Sequence, residues 1–390
     1  MLRMEQEKDS TSLTNGFELG PIRPPSEAYS LLIRATRNCP WNKCLFCHCY
    51  RDTQFSLRSV EEIEHDIDAA REMRDRILEA SHRLGYDGNL QLTAAALLSQ
   101  PYDDPCLRNV ALFLYGGGES VFLQDSNTLI MRTPELVRIL LHLRDAFPGL
   151  ARVTSYSRSH TASHKTLEEL KQIREAGLVR IHMGLETGYD PLLQYMQKGT
   201  TSEQQIAAGQ KLNAAGFSLS EYVMPGLGGR AMAEGHVRET TRVLNAINPA
   251  FIRLRSIHVT PTMPLWSHLQ DGDFQLQSED DVVREIAGMI EGLEVTSEFK
   301  SDHILNLLME VEGAFPQDKE KFLAIIHEYL SLPEEERLNF QLGRRMGLYE
   351  RLSDMQEPGR HDRVADAARR IRERGDDVEE VIRRLKDRFI

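Results

Sequence analysis

Six short apolar runs, each separated from the next by a stretch of helical periodicity, constrain this chain more than any other feature of its sequence. Residues 29–36, 111–115, 151–156, 178–184, 217–223 and 251–257 read as strands. After the first, Val60, Ile63, Ile67, Ala70, Met73 and Ile77 recur at helical spacing behind the capping box Ser59-Val60-Glu61-Glu62. Further helices open at Thr133-Pro134, at Thr166 and near Ser202, and stop at Gly177, Gly216 and Asn248-Pro249. Glycine just past a helix end, followed by a strand, is the punctuation of βα units. Strands alternating with helices in this way build a parallel sheet with right-handed crossovers.

Strand polarity separates an open doubly wound sheet from a barrel. Parallel strands covered on both faces read as continuous apolar runs, and several of these do not. Arg34 and Thr36, His182 and Glu186, Ser220 and Tyr222, and Arg253 and Arg255 each share one parity, while Ile33, Ile181, Leu219, Ile252 and Leu254 hold the other. Alternation puts the polar set on an inner face and the apolar set against helices; solvated strand ends are the alternative for any single residue. Beyond about residue 270 the rhythm changes. Ser278-Glu279-Asp280-Asp281 caps a helix, residues 294–300 read as one more strand, and residues 362–390 as a charged surface helix with Val378, Val381, Ile382, Leu385 and Phe389 facing the domain. The expectation is an α/β fold: a lead-in over 1–28, a partial parallel (β/α)6 barrel over 29–270, and a mainly helical C-terminal extension over 271–390.

With 59 Asp and Glu against 47 Lys and Arg, the net charge of −12 argues against a broad nucleic-acid surface. No apolar run reaches the roughly eighteen residues of a membrane span, and the polar N-terminus lacks a secretory pattern, so a cytoplasmic protein is expected. Four of the 5 cysteines, Cys39, Cys44, Cys47 and Cys49, fall close together, with Cys106 apart. Such clustering in a long chain points to metal rather than to disulfides. Cys39, Cys44 and Cys47 on one loop can hold three corners of a 4Fe–4S cluster and leave an iron open, with Trp41 and Phe46 as apolar cover. A zinc knuckle drawing on the same thiols, His48 and Cys49 stays open on the cysteines alone. Gly116-Gly117-Gly118-Glu119, Glu186 and the loop Met224-Pro225-Gly226-Leu227-Gly228-Gly229 are expected at strand ends, where α/β sheets bind ligands.

Together these motifs resemble the radical S-adenosylmethionine (SAM) superfamily over roughly residues 29–270. The cysteine loop resembles the family's cluster loop, and Gly117, Gly118 and Glu119 resemble the motif that holds the methionyl amino group of SAM. The resemblance gives Glu186 a ribose contact, Ser157 and Arg158 the SAM carboxylate, and the loop with Gly226 and Gly228 the adenine. Residues 184–201 and 257–265 are similar to the branch with anaerobic porphyrin enzymes, methylthiotransferases and cobalamin-dependent radical enzymes. No cobalamin domain is expected ahead of residue 29, and the remaining cysteines are too few for a second all-cysteine cluster. The first cysteine spacing is one residue longer than the family's, so the loop must bulge, and Cys49 is a rival for one ligand position. The resemblance implies an enzyme in which a 4Fe–4S cluster, reduced by a donor such as flavodoxin or ferredoxin, cleaves SAM to a 5′-deoxyadenosyl radical. That radical takes hydrogen from a substrate in the barrel. An electron-transfer protein and a zinc-stabilised scaffold are the alternatives. On the substrate side, Asp302, His303 and Asn306 are expected near the barrel mouth, and Gly343-Arg344-Arg345 at a solvated helix end or anion-binding turn. Cys49 with Cys106 forms a remoter candidate pair.

Overall fold

Strands β1 (Leu31–Arg34), β2 (Ser120–Gln124), β3 (Arg152–Ser157), β4 (Leu178–Glu186), β5 (Ser218–Val223), β6 (Phe251–Leu254), β7 (Glu298–Lys300) and β8 (Gly313–Ala314) form one sheet in chain order. The computed structural model describes residues 16–100 and 104–389; the first fifteen residues of the lead-in lie outside them. Each of β2 to β7 is parallel to its predecessor, and β8 runs antiparallel to β7. Adding every strand beside the last, with same-handed crossovers, curls the sheet around an inner face. Among the described residues β1 and β8 do not pair, so the barrel is partial. The sheet continues well past residue 270.

The parity read from the strands is the parity observed. Ile33, Ile181, Leu219, Ile252 and Leu254 belong to one apolar core with the helices. On the inner face, Phe122, Tyr156, His182 and Tyr222 line up across β2 to β5. The Phe122 and Tyr156 rings lie 5.1 Å apart, and His182 lies 5.8 Å from Tyr156 and 5.6 Å from Tyr222. Glu27, from a 3-10 turn over Pro25–Glu27, is fully buried with Arg152 at 3.2 Å and His182 at 3.5 Å. The described part of the lead-in is therefore not loose.

Helices α1 (Val60–Arg83), α2 (Leu90–Leu98) and α3 (Pro105–Tyr115) fill the β1–β2 crossover. Here the structure corrects the sequence reading: residues 111–115 are the last turns of α3, not a strand. Asp104 caps α3 by accepting from the Cys106 and Leu107 amides, Pro105 sits at its first position, and Gly117 (φ +100°) and Gly118 (φ +73°) end it. Next come α4 (Thr133–Ala146), α5 (Ser159–His164), α6 (Leu167–Ala176), α7 (Asp190–Tyr195), α8 (Ser202–Ala214), α9 (Gly229–Ile247), α10 (Leu265–Asp271) and α11 (Glu279–Gly292). Capping boxes at Ser59, Thr166, Thr201 and Ser278 start α1, α6, α8 and α11, each stabilising by about 0.5–2 kcal/mol.

The chain ends in α12 (Lys319–Ser331), α13 (Glu334–Arg345), α14 (Pro358–Glu373) and α15 (Val378–Lys386). Arg344 and Arg345 are buried on α13 rather than solvated at a turn. They donate to the carbonyls of Ile304, Leu305 and Leu307 and so hold the segment after β7. Val378 and Ile382 dock α15, and Asp387 Oδ1 accepts from the His258 ring at 2.7 Å. No helix among the described residues is long and apolar enough to cross a membrane.

Candidate active site

At the carboxyl ends of β3 to β6 lies a cavity of about 230 Å³ lined by Cys39, Cys44, Cys47 and Cys49 together with Ser157, Arg158, Glu186 and Lys198. The cysteine loop leaves β1 and is closed at its base by an antiparallel pair, Thr36–Arg37 with Ser56–Leu57. Its tip is sewn to the domain by Leu45, which donates to the Met196 carbonyl (3.0 Å) and accepts from the Leu265 amide (2.9 Å). The longer first spacing is absorbed at Asn42, whose φ of +47° reverses the chain between Cys39 and Cys44. Asparagine tolerates this left-handed conformation better than most residues. Its amide points at Cys39 Sγ (3.4 Å), and its side chain donates to the Tyr50 carbonyl.

Sequence reasoning missed the residue that fixes this loop to the sheet. Asp125, directly after β2 and fully buried, accepts from Arg34 Nε (2.9 Å), the Asn38 amide (3.1 Å) and the Tyr50 hydroxyl (3.1 Å). Above the thiols a second apolar cluster, separate from the main core, gathers Leu45, Phe46, Leu192, Met196, Met224 and Leu265 around Cys44 and Cys47.

Lys198, on the loop between α7 and α8, is the other residue that the sequence reading passed over. Its ammonium lies 3.1 Å from Glu186 Oε1 and 5.5 Å from the Phe46 ring centre. Burial pulls the Lys198 amine down, while Glu186 and the Cys44 thiol pull it up further, leaving it above its ordinary value. Arg158 stacks over Trp41 at 5.0 Å and donates to the Lys198 carbonyl at 2.8 Å. Burial raises the Cys44 thiol to about 11 against the pull of Lys198 and Arg158. Behind Glu186 sits Glu221, fully buried and, among the described residues, with both carboxyl oxygens unpartnered; burial lifts it far above the carboxylate range, so it is held neutral.

The sequence-predicted residues divide. Cys39, Cys44, Cys47, Ser157, Arg158 and Glu186 come together in the cavity. Gly117, Gly118 and Glu119 do not: they precede β2, at the amino end of the sheet, where Glu119 is exposed and its carbonyl accepts from the Ala151 and Arg152 amides. The misplaced strand is the reason, because a helix ending in glycines was taken for a strand ending in a ligand loop. Gly226 and Gly228 stand behind the cavity, whose wall takes Met224 and Ile257 from that neighbourhood. Gly226 (φ +84°) donates its amide to Glu285 Oε1 at 2.7 Å, and a Cβ on Gly228 would meet the Met232 carbonyl at 2.9 Å. Cys106 is not near Cys49; it exchanges hydrogen bonds with the Phe17 backbone in the main core. Asn306 clamps the end of β6 by accepting from Ser256 and donating to the Leu254 carbonyl.

The loop at 224–229 rests on buried, oppositely shifted groups. Burial raises Glu285 to about 7, and burial lowers His236, 3.4 Å away, to about 4. A carboxyl raised on folding contributes stability that is present below its ordinary value and is lost as pH rises through the folded value. Stability is therefore expected to fall between pH 4.5 and about 7 on account of Glu285. Glu285→Gln should remove that loss, so its stability relative to wild type grows by on the order of 3 kcal/mol across the window. Urea unfolding of both proteins at several pH values checks this, and parallel curves would refute it. His236 works the other way, its contribution fading as pH drops from 6.5 towards 4.

The donor set fits an iron–sulfur cluster. All four cysteines of the loop are free and half-buried around one cavity, with Lys198 and Arg158 placed to offset thiolate charge. A parallel sheet with a polar lumen and thiols at its carboxyl end is an α/β fold suited to holding a cofactor. Residues 106–239 match the family model described as the Radical SAM superfamily. The cofactors of that superfamily are a 4Fe–4S cluster and SAM. The matched span begins after the cysteine loop. Over 65 residues the chain is 34% identical to the tRNA uridine(34) acetyltransferase of Methanocaldococcus jannaschii, a stretch covering 17% of this chain and 12% of that protein. It is also similar to the cobalamin-dependent S-adenosylmethionine radical enzyme OxsB (13% identity, 92% of this chain, 58% of that one, TM-score 0.44). A third similarity is to coproporphyrinogen III oxidase from Escherichia coli (14% identity, 67% of this chain, 52% of that one, TM-score 0.42).

Proposed function

We propose that this chain is a radical SAM enzyme that holds a 4Fe–4S cluster on Cys39, Cys44 and Cys47 and takes hydrogen from a substrate in the barrel lumen. The observation that carries the reading is the sharing of one cavity by these thiols, the cations Arg158 and Lys198, and an apolar cover. Bound together, cluster and SAM supply one-electron cleavage of a sulfur–carbon bond and the hydrogen abstraction that follows. Ser157 Oγ and the Arg158 guanidinium would bind the SAM carboxylate, and Glu186 would accept from ribose hydroxyls. Lys198 pairs with Glu186 and offsets the thiolates, while neutral Glu221 adds no further charge behind them. Phe46, Leu45 and Met196 exclude water from the thiols. The reading requires a low-potential donor such as flavodoxin or ferredoxin and sets the protein in the cytoplasm.

Anaerobically reconstituted protein is expected to hold about four iron and four sulfide per chain. With SAM and dithionite it should release 5′-deoxyadenosine. Tight zinc without sulfide would overturn the assignment in favour of a scaffold. A cluster that never yields 5′-deoxyadenosine would leave an electron-transfer protein.

A further inference from the structure

The cavity has a second wall that the thiols, Arg158 and Glu186 do not use. It is built where β6 ends, by Arg255, and by imidazoles brought from two segments: His48 on the cysteine loop and His258 after β6. Arg255 is rooted by its amide, which donates to the Val223 carbonyl at 2.9 Å. Arg255 is an exposed residue of the cavity lining, and among the described residues its guanidinium has neither a hydrogen bond nor an ion pair. The other arginines at the strand ends differ. Arg34 is paired with Asp125, Arg152 with Glu27 and Arg253 with Asp302, and Arg158 donates to a carbonyl.

The charge around Arg255 is not offset by carboxylates. Glu186 is the lone carboxylate in the described cavity lining, and Lys198 occupies it. Asp387 is nearby but engaged with His258. Burial first, and then the field of Arg255, takes His303 after β7 down to about 4. The rest of this wall is apolar, formed by Tyr222, Ile257, Met263 and Leu305.

We propose that Arg255 is the anchor of an oxyanion subsite, and that the substrate is an organic molecule with an apolar body and one carboxylate or phosphate group. The oxyanion sits on the guanidinium, and the body lies along Tyr222, Ile257 and Met263. This rests on the preceding reading for the side of the cavity given to SAM. Arg255 is thus a specificity-determining residue, and the distance between its anion and the thiols selects which C–H bond is presented.

The test is calorimetry on the SAM-loaded holoprotein with phenyl phosphate, 3-phenylpropionate and the neutral 3-phenylpropanol as probes. At least one acid should bind, with an affinity that falls as KCl rises, and the alcohol should bind at least about tenfold more weakly. Arg255→Gln should weaken the acid by about tenfold to a hundredfold, the worth of a charge-assisted hydrogen bond. It should leave the melting temperature and SAM affinity in equilibrium dialysis unchanged, since the guanidinium contacts nothing else. Arg255→Lys should rescue phosphate binding but not the planar, bidentate carboxylate, which tells the two sources apart. Equal affinity in Arg255→Gln, alcohol binding as strong as acid binding, or SAM affinity falling in step with the acids would each overturn the proposal. Wild-type protein that carries a cluster but fails to bind SAM defeats the preceding reading instead, and the same titration still reports on Arg255.

Discussion

Asp125→Ala is expected to lower the unfolding free energy by about 3–5 kcal/mol, the cost of stranding a buried charge, and to leave the protein unable to retain iron. The stranded group is Arg34, whose guanidinium lies 2.7 Å from the carboxylate at a side-chain exposure of 13%. Glu18 also pairs with Arg34 and softens the loss, which places the cost nearer the lower bound. The same truncation releases the Asn38 amide and the Tyr50 hydroxyl, the two ends of the cysteine loop. Tyr50 is buried beside the carboxylate, and both conditions push its hydroxyl well above its usual value, so it stays a donor. Urea midpoints and iron per chain after reconstitution measure the two effects. A variant with wild-type midpoint and full iron would show that the loop holds itself. Asp125→Asn, which keeps an acceptor but not the charge, should fall between.

Gly199→Ala should cost about 2–5 kcal/mol, from two independent sources. Its φ of +69° penalises any Cβ by roughly 1–2 kcal/mol. The Cβ would also meet Trp41 Cζ2 at 2.3 Å and Cε2 at 2.4 Å, an overpacking of about 1–3 kcal/mol. Trp41 cannot slide freely, because its Nε1 donates to the Gln197 carbonyl at 2.7 Å and Arg158 lies over its ring. Relief must come from moving the cysteine loop or Arg158. The chain has 2 tryptophans, so the emission shift is readable against Trp266 alone. A variant with unshifted emission, unchanged midpoint and normal SAM affinity would rule out this clamp.

The barrel was legible because its information is local and periodic. Strand alternation told the inner face from the outer, and capping boxes at Ser59, Thr166 and Ser278 start helices where expected. The error at residues 111–115 has a physical cause. Five apolar residues fit a buried strand or a helix end equally well, and the deciding signal was Asp104-Pro105, an N-cap followed by proline. Reading one element early put the second strand's ligand end at Gly116–Glu119, so Asp125 was overlooked. Lys198 and Glu27 were invisible for another reason: each matters through partners far along the chain, and one sequence carries no periodic trace of such pairing. Asn42 was half legible, since the longer spacing required a bulge but did not say which residue would take the left-handed turn.

Strands that pair in chain order also set a timetable for a chain emerging from the ribosome. The thiols at 39, 44 and 47 are made before their anchor, which waits for Asp125, and the clamp on Trp41 waits for Gln197 through Gly199. The cysteine loop is thus synthesised well before the segments that hold it. Cluster delivery to a nascent chain would meet thiols without their scaffold, which makes the completed barrel, not the cysteine motif, the competent acceptor.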